Sequence, residues 1–211
     1  MNTSGENAML LRELIELMED ANEYVVFYGG RFQPMHKGHS DVYKHLVEKF
    51  GRDNVYIATT FSQKAVKAHA SGDYSNDPFT FEEKRDIMSR MFGIPSEKIV
   101  NSNPYRSEPS VVKRDNNTTA TILVYGAKDP MRLSGDKVRP VPDNMEGMTP
   151  HSEGIVFAYE APLMQGGMSA SDFRTTLASN ASQEEKKKSF QQFFGKFDQS
   201  VFDFIVGRLT S

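Results

Sequence analysis

Tyr24-Val25-Val26-Phe27-Tyr28-Gly29-Gly30-Arg31-Phe32-Gln33-Pro34-Met35-His36-Lys37-Gly38-His39 is the stretch that decides the fold. Its first five residues form a β-branched and aromatic run that reads as a buried strand, and Gly29-Gly30 stops it in a tight loop. Beyond Gly38, the apolar residues Val42, Leu46, Val47 and Phe50 fall at helical spacing, and Gly51 suits the position that terminates a helix. A strand, a glycine turn and a helix in succession form the opening unit of an α/β sheet. In such a sheet the ligand crevice lies at that turn.

Outward from this unit, the pattern predicts a second strand at Val55 to Thr60 and others at Ile99-Val100, Thr121 to Tyr125 and Ile155 to Tyr159. Thr80 stands three residues before Glu83, a capping-box pair that starts a helix through Ile87 and Met91. Ser182 and Glu185 repeat that signal ahead of Phe190, Phe193, Phe194 and Phe197, then Val201, Phe204 and Ile205, so the tail reads as two helices broken near Gly195. Phe stripes at this spacing are core contacts before they are partner sites. Leu10, Leu11, Leu14, Leu17 and Met18 place an amphipathic helix within Asn7 to Asp20. Ser62 to Pro78 is polar without a sustained period and is expected to be a mobile loop, and Met131 to Glu153 reads as a long connection. The expected architecture is a Rossmann-like, mostly parallel sheet with helices on both faces. It divides into an N-terminal helix (1–22), an α/β domain (23–180) and a helical C-terminal extension (181–211).

Composition narrows the function. The 211 residues carry 25 Lys plus Arg against 28 Asp plus Glu, a net charge of -3, which disfavours a broad basic face for long nucleic acid. An anionic ligand must then be held by a local concentration of donors. The absence of cysteine excludes disulfides, thiolate metal sites and a Cys nucleophile. No apolar run approaches a membrane span and the start of the chain lacks a secretory pattern, so a cytoplasmic protein without a membrane partner is expected.

The chemistry concentrates where the fold reading began. Backbone N–H groups at the glycine loop and helix start can approach a phosphate, and the helix dipole favours the anion. His36 and His39, three apart on a first helical turn, can project to one side. A metal site would need a third ligand nearby, and none stands in sequence. In the second half of the chain, Gly166-Gly167 gives a flexible approach to a helix start that Ser169 or Ser171 can cap. Arg174 then falls about one turn in, with a guanidinium suited to phosphate oxygens.

Gly30-Arg31-Phe32-Gln33-Pro34 followed by His36-Lys37-Gly38-His39 resembles the first signature of the HxGH nucleotidyltransferase (cytidylyltransferase-like) superfamily, in particular the archaeal-type nicotinamide mononucleotide adenylyltransferases. Ser62-Gln63-Lys64 after the second strand matches in order. Pro78-Phe79-Thr80 with Glu83-Lys84 resembles the family's PFTxxER segment, with Lys in place of Arg. Met168-Ser169-Ala170-Ser171-Asp172-Phe173-Arg174 resembles its second signature, ISxTxxR, and Gly126-Ala127-Lys128-Asp129 resembles its nucleotide-holding GxD element.

The resemblance implies an enzyme that binds ATP with Mg²⁺, the ion carried mainly by the phosphates, and passes AMP to a mononucleotide phosphate with release of pyrophosphate. His36, His39, Arg174 and Lys84 would be catalytic. Gly29, Gly30, Arg31, Phe32, Gln33, Lys64, Gly126, Asp129, Ser169 and Ser171 would bind the nucleotide. Tyr105 is a candidate to stack on the acceptor's ring, since the chain has no Trp. A cytidylyltransferase using CTP and a phosphorylated alcohol or sugar is the alternative, although its usual RTEGISTT signature is unmatched. A non-catalytic nucleotide-binding module is a second alternative. The aromatic tail is a possible homo-oligomer interface.

Overall fold

The computed structural model describes residues 20–126, 135–162, 164 and 169–210. Its centre is a six-stranded sheet of β1 (Glu23–Gly29), β2 (Val55–Thr59), β3 (Ile99–Asn101), β4 (Thr119–Gly126), β5 (Val138–Pro140) and β6 (Val156–Ala161). The strands lie in the order β3-β2-β1-β4-β6-β5, and every pair is parallel. This is the Rossmann-like α/β architecture that the alternation of strand and helix signals predicts. β1 is its hinge of symmetry: Val26 pairs with Val55 on one side and with Ile122 on the other. The chain order reverses between β1 and β4, so a crevice opens at their carboxyl ends.

Helices α1 (Lys37–Phe50), α2 (Gln63–Ala70), α3 (Phe81–Phe92), α4 (Ala170–Ala178), α5 (Gln183–Phe194) and α6 (Gln199–Thr210) complete the layers. The period of two along β1 divides the core. Val26 and Tyr28 join Val42, Leu46 and Phe50 of α1 on one face, while Val25 and Phe27 join Ala58 and Leu123 on the other, where Val112 packs against them. A separate cluster gathers Phe79, Met91 and Phe173 with Phe190, Phe193 and Phe194 of the tail. Among the described residues, no helix is long and apolar enough to cross a membrane.

Two expectations about the connections need correction. Ser62 to Pro78 is not loop throughout, because Gln63–Ala70 forms α2, capped by Ser62 Oγ accepting from Ala65 N at 3.1 Å. Its periodicity is invisible because Ala65 is its only buried residue, so a cap and good helix formers suffice for two turns. The long connection from 131 to 153 holds the edge strand β5 and a 3-10 turn, His151–Glu153. A three-residue edge strand with Arg139 and Pro140 exposed has no apolar alternation to reveal it. The N-terminal helix expected over 7 to 20 lies outside the described residues, apart from Asp20.

Candidate functional site

The site grows from the end of β1. A side chain at Gly29 would put its Cβ 2.2 Å from the Pro104 carbonyl oxygen, and one at Gly30 would lie 2.5 Å from the Phe32 ring. Only glycine lets the strand end pass between the 103–106 loop and the ring that follows it. Gly30 N then donates to Ala58 O at 3.1 Å, and Phe32 turns the chain at φ 46° with its ring buried edge-on to Tyr28 and His39.

Three side chains, one from the loop itself and two from elsewhere in the sequence, hold this loop in place. Buried Gln33 binds Phe79 in both directions: its Nε2 donates to the Phe79 carbonyl and its Oε1 accepts from the Phe79 N–H, each at 3.0 Å. The first motif is thereby locked to Pro78-Phe79-Thr80. Lys84 of α3, 1% exposed, donates to Arg31 O (3.2 Å), Thr59 Oγ1 (2.8 Å) and Thr60 O (2.9 Å). Burial lowers its ammonium to about 8, against the raising influence of Asp77. Arg174 of α4 donates from Nη1 to Gln33 O at 2.6 Å. Burial, then the nearby Arg31, lowers the Arg174 guanidinium from its ordinary range, yet a guanidinium stays charged in a protein. With the carbonyls of Arg31 and Gln33 each bound to a cation, the loop's polarity is ordered before any ligand arrives.

The two histidines make an unusual helix cap. His36 is the N-cap of α1 and its Nδ1 accepts from His39 N at 3.3 Å, while His39 Nδ1 accepts from His36 N at 3.5 Å. This is a capping box in which imidazoles replace the usual hydroxyl and carboxylate. Because both Nδ1 atoms accept, each neutral ring carries its proton on Nε2, an assignment made from the hydrogen-bond pattern. The rings stack at 3.7 Å and 22°. Burial lowers His36 below its usual range, and burial with the neighbouring His36 pushes His39 down to about 3. Near pH 7 the helix start therefore presents neutral N–H donors together with the free backbone N–H groups of its first turn.

The second helix start is also built as expected: Ser169 caps α4, its Oγ accepting from Asp172 N at 3.1 Å. Arg174 lies one turn further in and, through its bond to Gln33 O, joins the two motifs across 141 residues. Ser171 is exposed on the first turn of α4, and Lys64 is exposed on the first turn of α2. Gly126 ends β4 at the crevice, next to β1. Asp129 lies outside the described residues, as do Gly166, Gly167 and Met168. Tyr105 follows directly on Pro104, whose carbonyl touches the Gly29 backbone, so that loop does border the site.

Two neighbours were not anticipated. Asp77 sits 3.7 Å from Arg31 Nε and acts electrostatically on Arg174 and Lys84 as well. Phe193, from the tail, meets the His36 ring at 5.5 Å and 80°. Asp77 could have drawn notice as the acid just before the Pro78-Phe79-Thr80 segment. Nothing in the sequence singles Phe193 out from the other tail phenylalanines. Past Arg174, a cavity of about 370 Å³ opens between α4, the end of α6 and the turn at Gly72 to Ser75.

A parallel sheet whose order reverses beside a histidine-capped helix, with a second capped helix supplying an arginine to the same loop, defines a nucleotide-binding α/β protein of the HxGH type. The chain belongs to the cytidylyltransferase-like family of the nucleotidyltransferase superfamily, whose family model matches residues 27–145, more than half of its length. No curated protein matches it. Among solved structures it is similar to a bifunctional NMN adenylyltransferase/ADP ribose pyrophosphatase from Francisella tularensis, complexed with AMP and Mn ion, at 15% identity and a TM-score of 0.47. That alignment covers 90% of this chain, which spans about half (49%) of the Francisella enzyme. It is also similar to the Plasmodium falciparum nicotinic acid mononucleotide adenylyltransferase complexed with NaAD, at 13% identity and a TM-score of 0.49, covering 88% of this chain and 96% of that one.

Proposed function

We propose that this nucleotidyltransferase transfers AMP from ATP to the phosphate of a mononucleotide, with nicotinamide mononucleotide as the leading acceptor and NAD as its product. The observation that carries the reading is the reciprocal His36–His39 cap, which fixes both Nε2–H groups as donors at the start of α1 while Arg174 is held one hydrogen bond away on the same loop. A phosphate oxygen of the acceptor attacks the α-phosphorus in line, the Pα–O bond to the β-phosphate breaks, and pyrophosphate leaves. A phosphomonoester is already a competent nucleophile, so the protein's task is to position the phosphates and stabilise charge on the departing oxygens. His36 and His39 donate to those oxygens, Arg174 and Arg31 supply positive charge, and the N–H groups of the glycine loop and of both helix starts complete the cradle. Lys64 and Ser171, both exposed at helix starts, meet the outer phosphate. Gly126 and Asp129 hold the nucleoside. Lys84 acts through the loop it pins.

Mg²⁺ fits this site as part of the nucleotide complex. Among the described residues, no group of three His, Asp or Glu side chains is placed to hold a metal ion; the nucleotide's phosphate oxygens would hold it, and the ion would offset their charge. The choice of ATP and a pyridine mononucleotide rests on the GRFQP and MSASDFR stretches. CTP with a phosphorylated alcohol or sugar is the second reading, favoured only by the family's description. Pyrophosphate release with ATP or CTP against a panel of phosphorylated acceptors tests both. Release that requires ATP and nicotinamide mononucleotide is expected; release only with CTP selects the second reading. Nucleotide binding without release under any pairing would leave a binding module and overturn the proposal.

A further inference from the structure

The tail phenylalanines are mostly core. Phe190, Phe194, Phe197 and Phe202 contact one another or other core rings. Phe193 differs. It is 1% exposed, its ring stacks on Phe173 at 3.9 Å and 11° and meets Phe194 edge-on, and a further side meets the imidazole of His36. Phe173 immediately precedes Arg174 in α4, so one aromatic pair stands behind both halves of the phosphate cradle.

The His36 ring is thus restrained in three ways: its Nδ1 accepts from His39 N, one face lies on the His39 ring, and Phe193 closes a further side. The first two restraints come from a four-residue stretch of α1 and could form in an isolated helix start. Only the third comes from outside it. A half-turn of the ring about Cβ–Cγ would exchange Nδ1 for a carbon, break the cap and swing Nε2–H away from the ligand. Packing against a buried ring obstructs that turn, and a misplacement of about 1 Å in such a group can cost roughly 10²-fold in rate.

We propose that Phe193 is a positioning residue for His36, which makes the C-terminal extension part of the catalytic unit. This inference rests on the nucleotidyl-transfer reading for its kinetic consequence, but its effect on the ring can be seen without turnover. The test compares Phe193→Leu with Phe202→Leu, a substitution of similar burial in the same cluster whose ring partners are Phe190 and Phe197. Both variants should lose Tm to a similar extent. In Phe193→Leu, kcat for pyrophosphate release should fall at least tenfold while KM for ATP moves less than threefold; Phe202→Leu should stay within twofold on both. Imidazole ¹⁵N spectra of the unliganded full chain provide the second readout. The distinction between an accepting Nδ1 and a protonated Nε2 on His36 should shrink in Phe193→Leu and persist in Phe202→Leu. Equal kinetic losses in the two variants, or an unchanged His36 spectrum in Phe193→Leu, overturns the assignment. If the wild-type chain releases no pyrophosphate with any nucleotide, the functional reading fails, and the ¹⁵N comparison alone decides the role of Phe193.

Discussion

Replacing His39 by Asn and by Gln separates its two jobs. Its Nδ1 accepts from His36 N and so closes the cap, whereas its Nε2–H is the donor that the proposed function assigns to the ligand. An Asn amide reaches about as far as Nδ1, so His39→Asn can keep the capping acceptor while losing the donor. A Gln amide reaches about as far as Nε2, and Gln at this position is itself a usual capping-box partner, so His39→Gln can offer an N–H donor while its Oε1 keeps the cap. Loss of one donor to developing charge costs about 10²–10³ in kcat, roughly 2.7–4 kcal/mol. Stopped-flow or coupled pyrophosphate assays should therefore show both variants well folded, with His39→Asn at least a hundredfold slower than wild type and His39→Gln faster than His39→Asn. The pH profile sharpens the test. Because His39 is pushed down to about 3 and His36 also lies below its usual range, the donors work as neutral imidazoles. The wild-type log kcat/KM should then show no histidine-linked decline between about pH 6 and 8. A tenfold loss per pH unit above about 6.5 would mean that imidazolium is the working form, which would refute this reasoning. So would His39→Asn with near wild-type turnover.

Three other outcomes follow from the same geometry. A histidine whose folded pKa is depressed contributes stability above its unfolded value near 6.5 and loses it on acidification toward the folded value, so wild-type Tm should drop between about pH 6.5 and 4 more than that of His39→Asn. Equal slopes would discount His39 as the source. Gly29→Ala places a methyl 2.2 Å from Pro104 O, so backbone must move at a cost of about 1–3 kcal/mol, and urea unfolding should show it alongside weakened nucleotide binding. Asp77→Asn removes a carboxylate that lies 3.7 Å from Arg31 and competes with phosphate for it. Because Arg31 is 67% exposed, the expected gain is small, about 0.5–1 kcal/mol, or two- to fivefold tighter ATP binding by calorimetry; weaker binding would show that Asp77 contacts the ligand favourably.

Much of the fold was legible because each strong signal is local. The capping boxes at Thr80/Glu83 and Ser182/Glu185, the Ser169 cap and the Gly51 stop all form as their spacing predicts. What escaped notice lacked either length or amphipathicity. α2 buries one alanine, and β5 is three residues of edge strand in which only backbone pairing to β6 makes structure. The candidate site divides in the same way. The glycines and the histidine pair announce themselves by chemistry and spacing, but the work of a cation does not. Lys84 and Arg174 have the same formal charge in sequence, whereas in the fold the ammonium of Lys84 is consumed by Arg31 O, Thr59 Oγ1 and Thr60 O, and Arg174 reaches Gln33 O from half-burial.

By itself, then, the sequence determined the parallel α/β core, the glycine turn at its crevice and the helix starts that face it. Those features depend on backbone preference and on side chains within a few positions of one another. Tertiary structure alone decided that both histidines are neutral, which carbonyls hold Lys84 and Arg174, that Asp77 faces Arg31, and that one phenylalanine among many touches His36. Burial and long-range packing set those properties: a proton's affinity and a ring's freedom depend on what surrounds them, and the surroundings named here come from residues 24 to 157 positions away.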